Sequence, residues 1–148
     1  MDSVRKARRA VINWAKQNIP EKDGLKYDVN LNEFNQLTVR RGDIKNIVRH
    51  VHEYANEAYL LGNKLDKVLE DSEYIGWSYD EKIVNSEGKI VQRHPFVDYW
   101  IYYRFLLLDK YSYVNVFHDN QRKEYRVYCI RDSLFNTKII QFSPNIKR

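Results

Sequence analysis

The sequence predicts an α+β fold in which N-terminal helices pack on one face of a mostly antiparallel sheet of about four to five strands. Residues 97–131 hold three runs of alternating side chains separated by polar turns, and this period of two is typical of strands with one buried face. Residues 2–18 and 43–59 instead carry apolar side chains at close to the helical period. Helix patterns therefore precede most of the strand patterns.

The first element is an amphipathic helix over residues 2–18, which Pro20 and Gly24 end. Its apolar stripe consists of Val4, Ala7, Val11, Trp14 and Ala15. Two short strands are predicted next, at residues 26–29 and 36–40. Either they pair with each other or only the second one forms.

A second helix is predicted over residues 43–59, with Asp43 as its N-cap. Its buried stripe consists of Ile44, Ile47, Val48, Val51, Tyr54, Ala55 and Ala58. A short third helix follows near residues 60–71, and its apolar side chains are Leu61, Leu65, Val68 and Leu69. A strand is predicted at residues 72–77. Residues 79–95 are polar and are predicted to form a long loop with a turn at Ser86–Lys89.

The three strands of residues 97–131 are predicted to form an antiparallel meander. Its core face carries Val97, Tyr99, Ile101, Tyr103, Val114, Val116, Tyr125, Val127 and Cys129. The opposite, open face carries Trp100, Tyr102, Arg104, Tyr113, Asn115, Arg126, Tyr128 and Ile130. Two interpretations of that aromatic face stay open: a nucleic-acid surface, or cross-strand packing pairs under a second layer. The apolar run at residues 138–142 adds an edge strand or packs as a tail.

The length of 148 residues fits one domain, with a helical part at 1–71, a sheet part at 72–131 and an irregular tail at 132–148. Charged residues make up 30% of the chain, and no apolar run approaches the roughly 20 residues of a spanning helix. We therefore expect no membrane association. The first residues lack the apolar core of a secretory signal, so we expect a cytoplasmic protein, unless it is delivered into a target cell or carried by a phage particle.

Charge is segregated along the chain. Lys and Arg outnumber Asp and Glu by 11 to 6 in residues 1–49 and by 10 to 5 in residues 92–148, whereas residues 50–91 have 4 against 9. Basic ends suit an anionic partner such as RNA. An ordinary solvated surface is the alternative.

Several chemistries have no local support, because the P-loop, dinucleotide-binding, esterase and zincin patterns are all missing. The single cysteine, Cys129, excludes an internal disulfide and a thiolate cluster, and we expect it to be a small buried hydrophobe. His50 and His52 point about 160 degrees apart on an unbroken helix and cannot chelate one metal together. We therefore expect no metal and no cofactor.

A metal-free chemistry remains, since RNA can be cleaved through its own 2′-OH when a protein supplies proton transfer and positive charge. The candidate catalytic residues are His50, His94, Arg104 and His52, with His50 and His94 favoured over His52 and His118. The candidate RNA-binding residues are Arg49, Trp100, Tyr102, Tyr113, Asn115, Arg126 and Tyr128. For any single histidine, a structural or surface role is the alternative.

Over roughly residues 5–131 the layout resembles the barnase/EndoU/colicin/RelE-like nuclease superfamily, above all the small nuclease domains of phage polyvalent proteins and contact-dependent toxins. The stretches that carry the resemblance are the opening helix at Ala7–Lys16, the passage through Val39–Ile44 into the histidine-bearing helix, the leucine-rich segment ending in Tyr74-Ile75-Gly76, and then His94-Pro95, Tyr102–Arg104, Tyr113–Val116 and Tyr125–Tyr128. The resemblance implies metal-independent cleavage of RNA on the sheet face away from the helices. His50, His52, His94 and Arg104 match positions where relatives often hold polar active residues.

Two functional hypotheses follow. The first is a metal-independent endoribonuclease that cleaves RNA, such as tRNA or rRNA, by 2′-OH transesterification, in the form of a toxin or a phage or mobile-element nuclease. A toxin would need an inhibitor or immunity protein as partner. The second is a non-catalytic nucleic-acid-binding or structural module of a phage or mobile-element protein.

Overall fold

The computed structural model describes residues 2–50, 64–107, 109–131 and 139–141. Within them the fold is α+β, with three helices, a mixed six-stranded sheet and a small two-stranded sheet. The fold class is confirmed, but the larger sheet has more strands than predicted. The elements in chain order are α1 Asp2–Asn18, β1 Leu25–Asp28, β2 Gln36–Val39, α2 Arg41–His50, α3 at residues 64–70, β3 Glu73–Ser78, β4 Lys82–Val84, β5 Ile90–Gln92, β6 Val97–Leu107, β7 Lys110–Asp119 and β8 Glu124–Arg131.

The six-stranded sheet has the order β1-β2-β8-β7-β6-β3. All its pairs are antiparallel except β2 and β8, which run parallel and meet at Leu37 and Tyr125. The two short strands predicted near the N-terminus both form and pair with each other. The part of the chain predicted to be mainly helical therefore contributes one end of the sheet.

The main core is shared by the helices and one face of the sheet. Val11 of α1, Ile47 of α2 and Leu65 of α3 belong to the same buried cluster as Ile101 and Val116 of the central strands. The predicted burial of Ile47 is confirmed, while Val51 lies outside the described residues. None of the helices in the described part of the chain combines the length and apolar character needed to cross a membrane.

Helix α2 begins earlier than predicted. The carbonyl of Arg40 accepts hydrogen bonds from the backbone N–H groups of Asp43 and Ile44, so Arg40 is the N-cap. Asp43 lies in the first turn, and its Oδ2 accepts a hydrogen bond from the Arg40 N–H at 2.8 Å. This contact is one half of a capping box. The prediction of Asp43 as N-cap is therefore wrong. Asp43 is the third residue of the helix, and its carboxylate accepts a hydrogen bond from the backbone N–H of the N-cap residue, Arg40.

Two β-bulges change which side chains share a face. A register shift in β6 between Val97 and Trp100 removes Val97 from the main core. A second shift in the β7–β8 pairing places Cys129 opposite Asn115 and Ile130 opposite Val114. Cys129 is buried as expected, but it and Ile130 have exchanged the predicted faces. Each bulge adds one residue to a strand, and one extra residue inverts the alternation beyond it.

The segment predicted to be a long loop contains a β-hairpin. Strands β4 and β5 pair antiparallel, and the predicted turn joins them through Gly88, whose φ of 78° lies in the left-handed region. The Asn85 Oδ1 accepts hydrogen bonds from the backbone N–H groups of Glu87 and Lys89, each at 2.9 Å. The three-residue strands of this hairpin are mostly exposed, so their sequence shows no buried face.

A short apolar segment lies beside the edge strand β3. Trp77 and Ile140 exchange two backbone hydrogen bonds of 2.8 and 2.7 Å, and Ile139 packs beside them. A Cβ atom on Gly76 would overlap the Ile139 side chain and lie 2.7 Å from the Ile140 carbonyl oxygen. Within the apolar run predicted at residues 138–142, the structure describes residues 139–141, and these contact the edge of the sheet.

We expect Gly76→Ala to destabilise the protein, because the added methyl group forces Ile139 and Ile140 away from the edge strand. Gly42→Ala is the matched control, since a Cβ there meets nothing within 4 Å. Denaturant unfolding of both variants measures the difference. Equal free energies of unfolding for the two variants would contradict the close approach.

A second prediction concerns the core assignment. Ile101→Ala or Val116→Ala should lower the free energy of unfolding by about 2–4 kcal/mol, because each leaves a cavity at a fully buried position. Leu106→Ala is the control, since Leu106 is 58% exposed at the end of β6. Urea titration followed by circular dichroism gives the three values, and a similar loss at Leu106 would contradict the assignment of faces.

Candidate functional site

The sheet face opposite the main core carries a second, smaller group of buried side chains. This small cluster consists of Val97, Trp100, Tyr102 and Phe117, with Ile75, Tyr128 and Ile139 packed against it. Trp100 and Tyr102 are only 7% and 5% exposed. The expectation of an open aromatic platform is therefore wrong for these two rings, and the packing interpretation describes them.

A cleft of about 440 Å³ opens beside the small cluster, between the end of β3, the end of β5 and the central strands. It brings together five of the predicted site residues, namely His94, Trp100, Tyr102, Asn115 and Tyr128. Five further residues that line it are Tyr79, Asp80, Glu81, Arg93 and Arg131. The cleft is large enough for a small ligand or one unit of a polymer.

The carboxylate of Asp80 holds His94 at two points. Its Oδ1 lies 2.9 Å from the His94 ring Nδ1, and its Oδ2 accepts a hydrogen bond from the His94 backbone N–H. The indole Nε1 of Trp100 donates a third hydrogen bond, of 3.0 Å, to Oδ1. The Asp80 side chain is only 2% exposed. These contacts fix an imidazole against a buried carboxylate at the wall of the cleft.

The environment of Asp80 keeps it ionised. Burial alone would raise its pKa, but the hydrogen bonds from the His94 backbone, the His94 ring and Trp100 outweigh burial, so the pKa lies below its usual value of 3.8. The His94 ring also contacts the Trp100 and Tyr128 rings edge to face, with centroids 5.2 and 5.5 Å away. The imidazole therefore has a negative partner on one side and aromatic walls beside it.

Two arginines bring positive charge to the cleft, and neither was predicted as a site residue. Arg93 forms an ion pair with Glu81 across the base of the hairpin, and both side chains are more than half exposed. Arg131 directs its Nε toward the Cys129 sulfur at 3.1 Å. An exposed ion pair contributes little stability, so Arg93 can exchange Glu81 for an anionic ligand at small cost.

Polar groups of the sheet complete the floor of the cleft. The Tyr102 hydroxyl and the Ser78 Oγ form a buried hydrogen bond of 2.7 Å. The Asn115 Oδ1 is buried and has no hydrogen-bond partner within the described residues. An unpaired buried acceptor costs about 1–3 kcal/mol, so Asn115 is a position where the fold is not optimised for stability alone.

The remaining predicted site residues do not line the cleft. Arg104 pairs with Glu73 at 2.5 Å and lies over the Tyr111 ring, at the other end of the sheet face with Tyr113. Arg49 is exposed on α2. The His50 side chain and the whole of His52 lie outside what the structure describes, so their roles stay predictions.

Arg126 is part of a buried ion network. Its guanidinium donates to both Asp43 carboxylate oxygens, with a shortest distance of 2.7 Å, and to the Asp119 Oδ2 at 2.9 Å. Asp43 is 2% exposed and Asp119 is 4% exposed. Because two carboxylates already neutralise it, Arg126 joins α2 to the sheet and is a poor phosphate ligand.

A second histidine–aspartate pair lies outside the cleft. The His118 Nδ1 is 2.7 Å from the Asp98 Oδ2, and the His118 ring stacks on Tyr99 at a centroid distance of 5.5 Å. Tyr99 and the neighbouring Tyr125 pack against the main core. Two similar pairs are thus present among the described residues, and the His94–Asp80 pair lines the cleft of about 440 Å³.

Asp80 was missed at the level of sequence, together with Arg93 and Arg131. Nothing in the sequence connects Asp80 with His94, because the segment between them was predicted to be a long loop with one turn rather than a hairpin. Simple alternation along β8 places Arg131 on the core face. The bulge moves it to the open face, and the sequence does not predict the bulge. The one available signal was the position of Arg93 directly before His94.

Comparison of the chain with protein-family models, with curated proteins and with solved structures finds no match. In the described part of the chain, no group of three or more His, Cys, Asp or Glu side chains is arranged to hold a metal ion. Function must therefore be inferred from the cleft and its residues.

We expect Arg126→Ala to lower the free energy of unfolding by about 3–5 kcal/mol, because it leaves the buried Asp43 carboxylate without its partner. Arg93→Ala is the matched control, and removal of that exposed ion pair should change stability by about 0–1 kcal/mol. Chemical denaturation measures both. A small loss of stability in Arg126→Ala would contradict the structural role and make Arg126 a candidate phosphate ligand again.

Proposed function

We propose that the chain is a metal-independent endoribonuclease whose cleft cleaves RNA by 2′-OH transesterification, as in the nuclease superfamily that its sequence resembles. The observation that supports this proposal is His94, which is held against an ionised carboxylate in a cleft with aromatic walls and two arginines. The proposed biological form is a toxin or a phage or mobile-element nuclease. An inhibitor protein would be its partner in the producing cell.

The chemistry needs a proton acceptor for the 2′-OH and positive charge around the phosphate. In the proposed mechanism, His94 accepts the proton through Nε2, since Nδ1 faces Asp80. The 2′ oxygen then bonds to the adjacent phosphorus while the bond from phosphorus to the 5′ oxygen breaks. Arg93 and Arg131 stabilise the negative charge on the phosphate oxygens. The 5′ oxygen takes up a proton from water in the open cleft, because α2, which carries His50, packs on the other face of the sheet.

RNA would lie on the sheet face away from the main core, while the N-terminal helices cover the other face. Tyr79, which is 69% exposed at the rim, takes the base-stacking role that was predicted for Trp100 and Tyr102. Tyr128 and Asn115 line the inner part of the cleft. RNA rather than DNA is the substrate because only RNA carries the 2′ nucleophile.

The alternative is a non-catalytic nucleic-acid-binding module. One observation favours it: His94 is the only histidine that lines the cleft within the described residues. Transesterification proceeds best with both a base and an acid, so a cleft with a single imidazole also suits binding without cleavage.

We predict that the purified protein cleaves total RNA and tRNA in the presence of EDTA and leaves 2′,3′-cyclic phosphate ends, whereas DNA stays intact. His94→Ala should keep the fold and reduce the cleavage rate by about 10²–10⁴-fold, the usual range for a proton-transfer residue. His118→Ala is the matched control and should retain most of the activity. Gel analysis and mass spectrometry of the products give the rate and the end chemistry.

Two outcomes would contradict the proposal. The first is the same rate for wild type and His94→Ala, which would move catalysis away from the cleft. The second is binding of RNA without any cleavage by wild type, which would favour the binding module. In that case, the affinity should fall steeply with rising salt, because phosphate contacts release counterions.

A further inference from the structure

We propose that Asp80 is a positioning residue, which fixes the ring orientation and the tautomer of His94 so that Nε2 is presented to the substrate. This inference rests on the proposed function for its effect on rate. Its structural part, the tautomer of His94, is measured without any substrate. The two parts therefore succeed or fail separately.

The first argument is the two-point contact. One carboxylate binds both the backbone N–H and the ring Nδ1 of the same residue, so the main chain and the side chain of His94 are held together. The His94 backbone is also held at its carbonyl oxygen, which accepts hydrogen bonds from the Val97 N–H and the Gln92 side-chain amide. With these contacts, the imidazole can rotate only if it loses the Nδ1 bond.

The second argument is that Asp80 itself is anchored to the sheet. Trp100 of β6, a member of the small cluster, donates its indole N–H to the carboxylate oxygen that also faces the His94 ring. Through Asp80, the imidazole is therefore anchored to a buried strand. His94 itself lies in the segment that follows the exposed hairpin. Positioning by a rigid element is what precise proton transfer requires.

The third argument concerns the tautomer. An ionised carboxylate only accepts hydrogen bonds, so a neutral imidazole at 2.9 Å must carry its proton on Nδ1. The lone pair then resides on Nε2, on the other side of the ring. Asp80 thus determines which nitrogen is able to accept a proton from the 2′-OH.

Asp80→Asn tests this inference, since it keeps the size of the side chain. In either orientation the amide N–H₂ group meets another donor, the Trp100 N–H or the His94 backbone N–H, so the contacts of Asp80 cannot all be kept. When it faces the ring, it donates to Nδ1, which moves the ring proton to Nε2 and removes the acceptor. We expect nitrogen-15 NMR to show the Nδ1–H tautomer of His94 in wild type and the Nε2–H tautomer in the variant. We expect kcat to fall by about 10²-fold or more, as for other wrongly protonated catalytic histidines, with KM changed less than about threefold.

Asp98→Asn is the matched control, because it makes the same change at His118 outside the cleft. It should alter the His118 spectrum and leave RNA cleavage near the wild-type rate. Equal losses of kcat in Asp80→Asn and Asp98→Asn would show a general effect on the fold and overturn a specific role for Asp80. Denaturant unfolding of both variants shows whether each is folded.

The wild-type spectrum decides the structural part even if Asp80→Asn does not fold. A neutral His94 with its proton on Nε2 would overturn the inference without any variant. The Nδ1–H tautomer in a wild-type protein that cleaves no RNA would keep the positioning role and reject the proposed function. Full activity in a folded Asp80→Asn variant would reject the positioning role and leave the ribonuclease proposal in place.

Discussion

The structure depends on a sheet whose central strands bury side chains on both faces. Ile101 and Val116 belong to the main core, while Trp100 and Phe117, their direct neighbours in the chain, belong to the small cluster. Because successive side chains of a strand point to opposite faces, the strands must be held in one register for both groups to be buried. The small cluster also supplies the Trp100 indole that anchors Asp80. Packing and the candidate chemistry therefore share one constraint.

The sequence predicts the fold class and most helices and strands, because these follow from local periodicity. It fails at the bulges near Val97 and Cys129, since the register is decided by pairing with β7 and not by the residues themselves. The exposed hairpin was also missed, because its side chains bury too little to show a pattern. Local sequence therefore predicts where helices and strands form better than it predicts which side chains of a strand are buried together.

The candidate site was predicted less well, for a physical reason. Whether a charged side chain is available to a ligand depends on partners that are distant in sequence. Arg126 fitted the pattern of a phosphate ligand until Asp43 and Asp119 neutralised it in three dimensions. His94 was found from its residue type and its place before Pro95 at the start of a strand, and its partner Asp80 only from the structure. Periodicity describes neighbours along the chain, so it does not predict ion pairs between residues that are distant in sequence.

The hydrogen bonds between Asp80 and His94 close the base of the hairpin, and Arg93 and Glu81 add a backbone hydrogen bond of 2.9 Å beside them. The two ends of the hairpin are therefore held together at one place on the sheet. The paired residues Val84 and Ile90, next to its tip, are both exposed. Evolution can lengthen, shorten or recompose this tip without moving the imidazole, because loop length changes the closure entropy only slowly. The architecture thus separates a hairpin tip that can change from the cleft residues that lie beneath it.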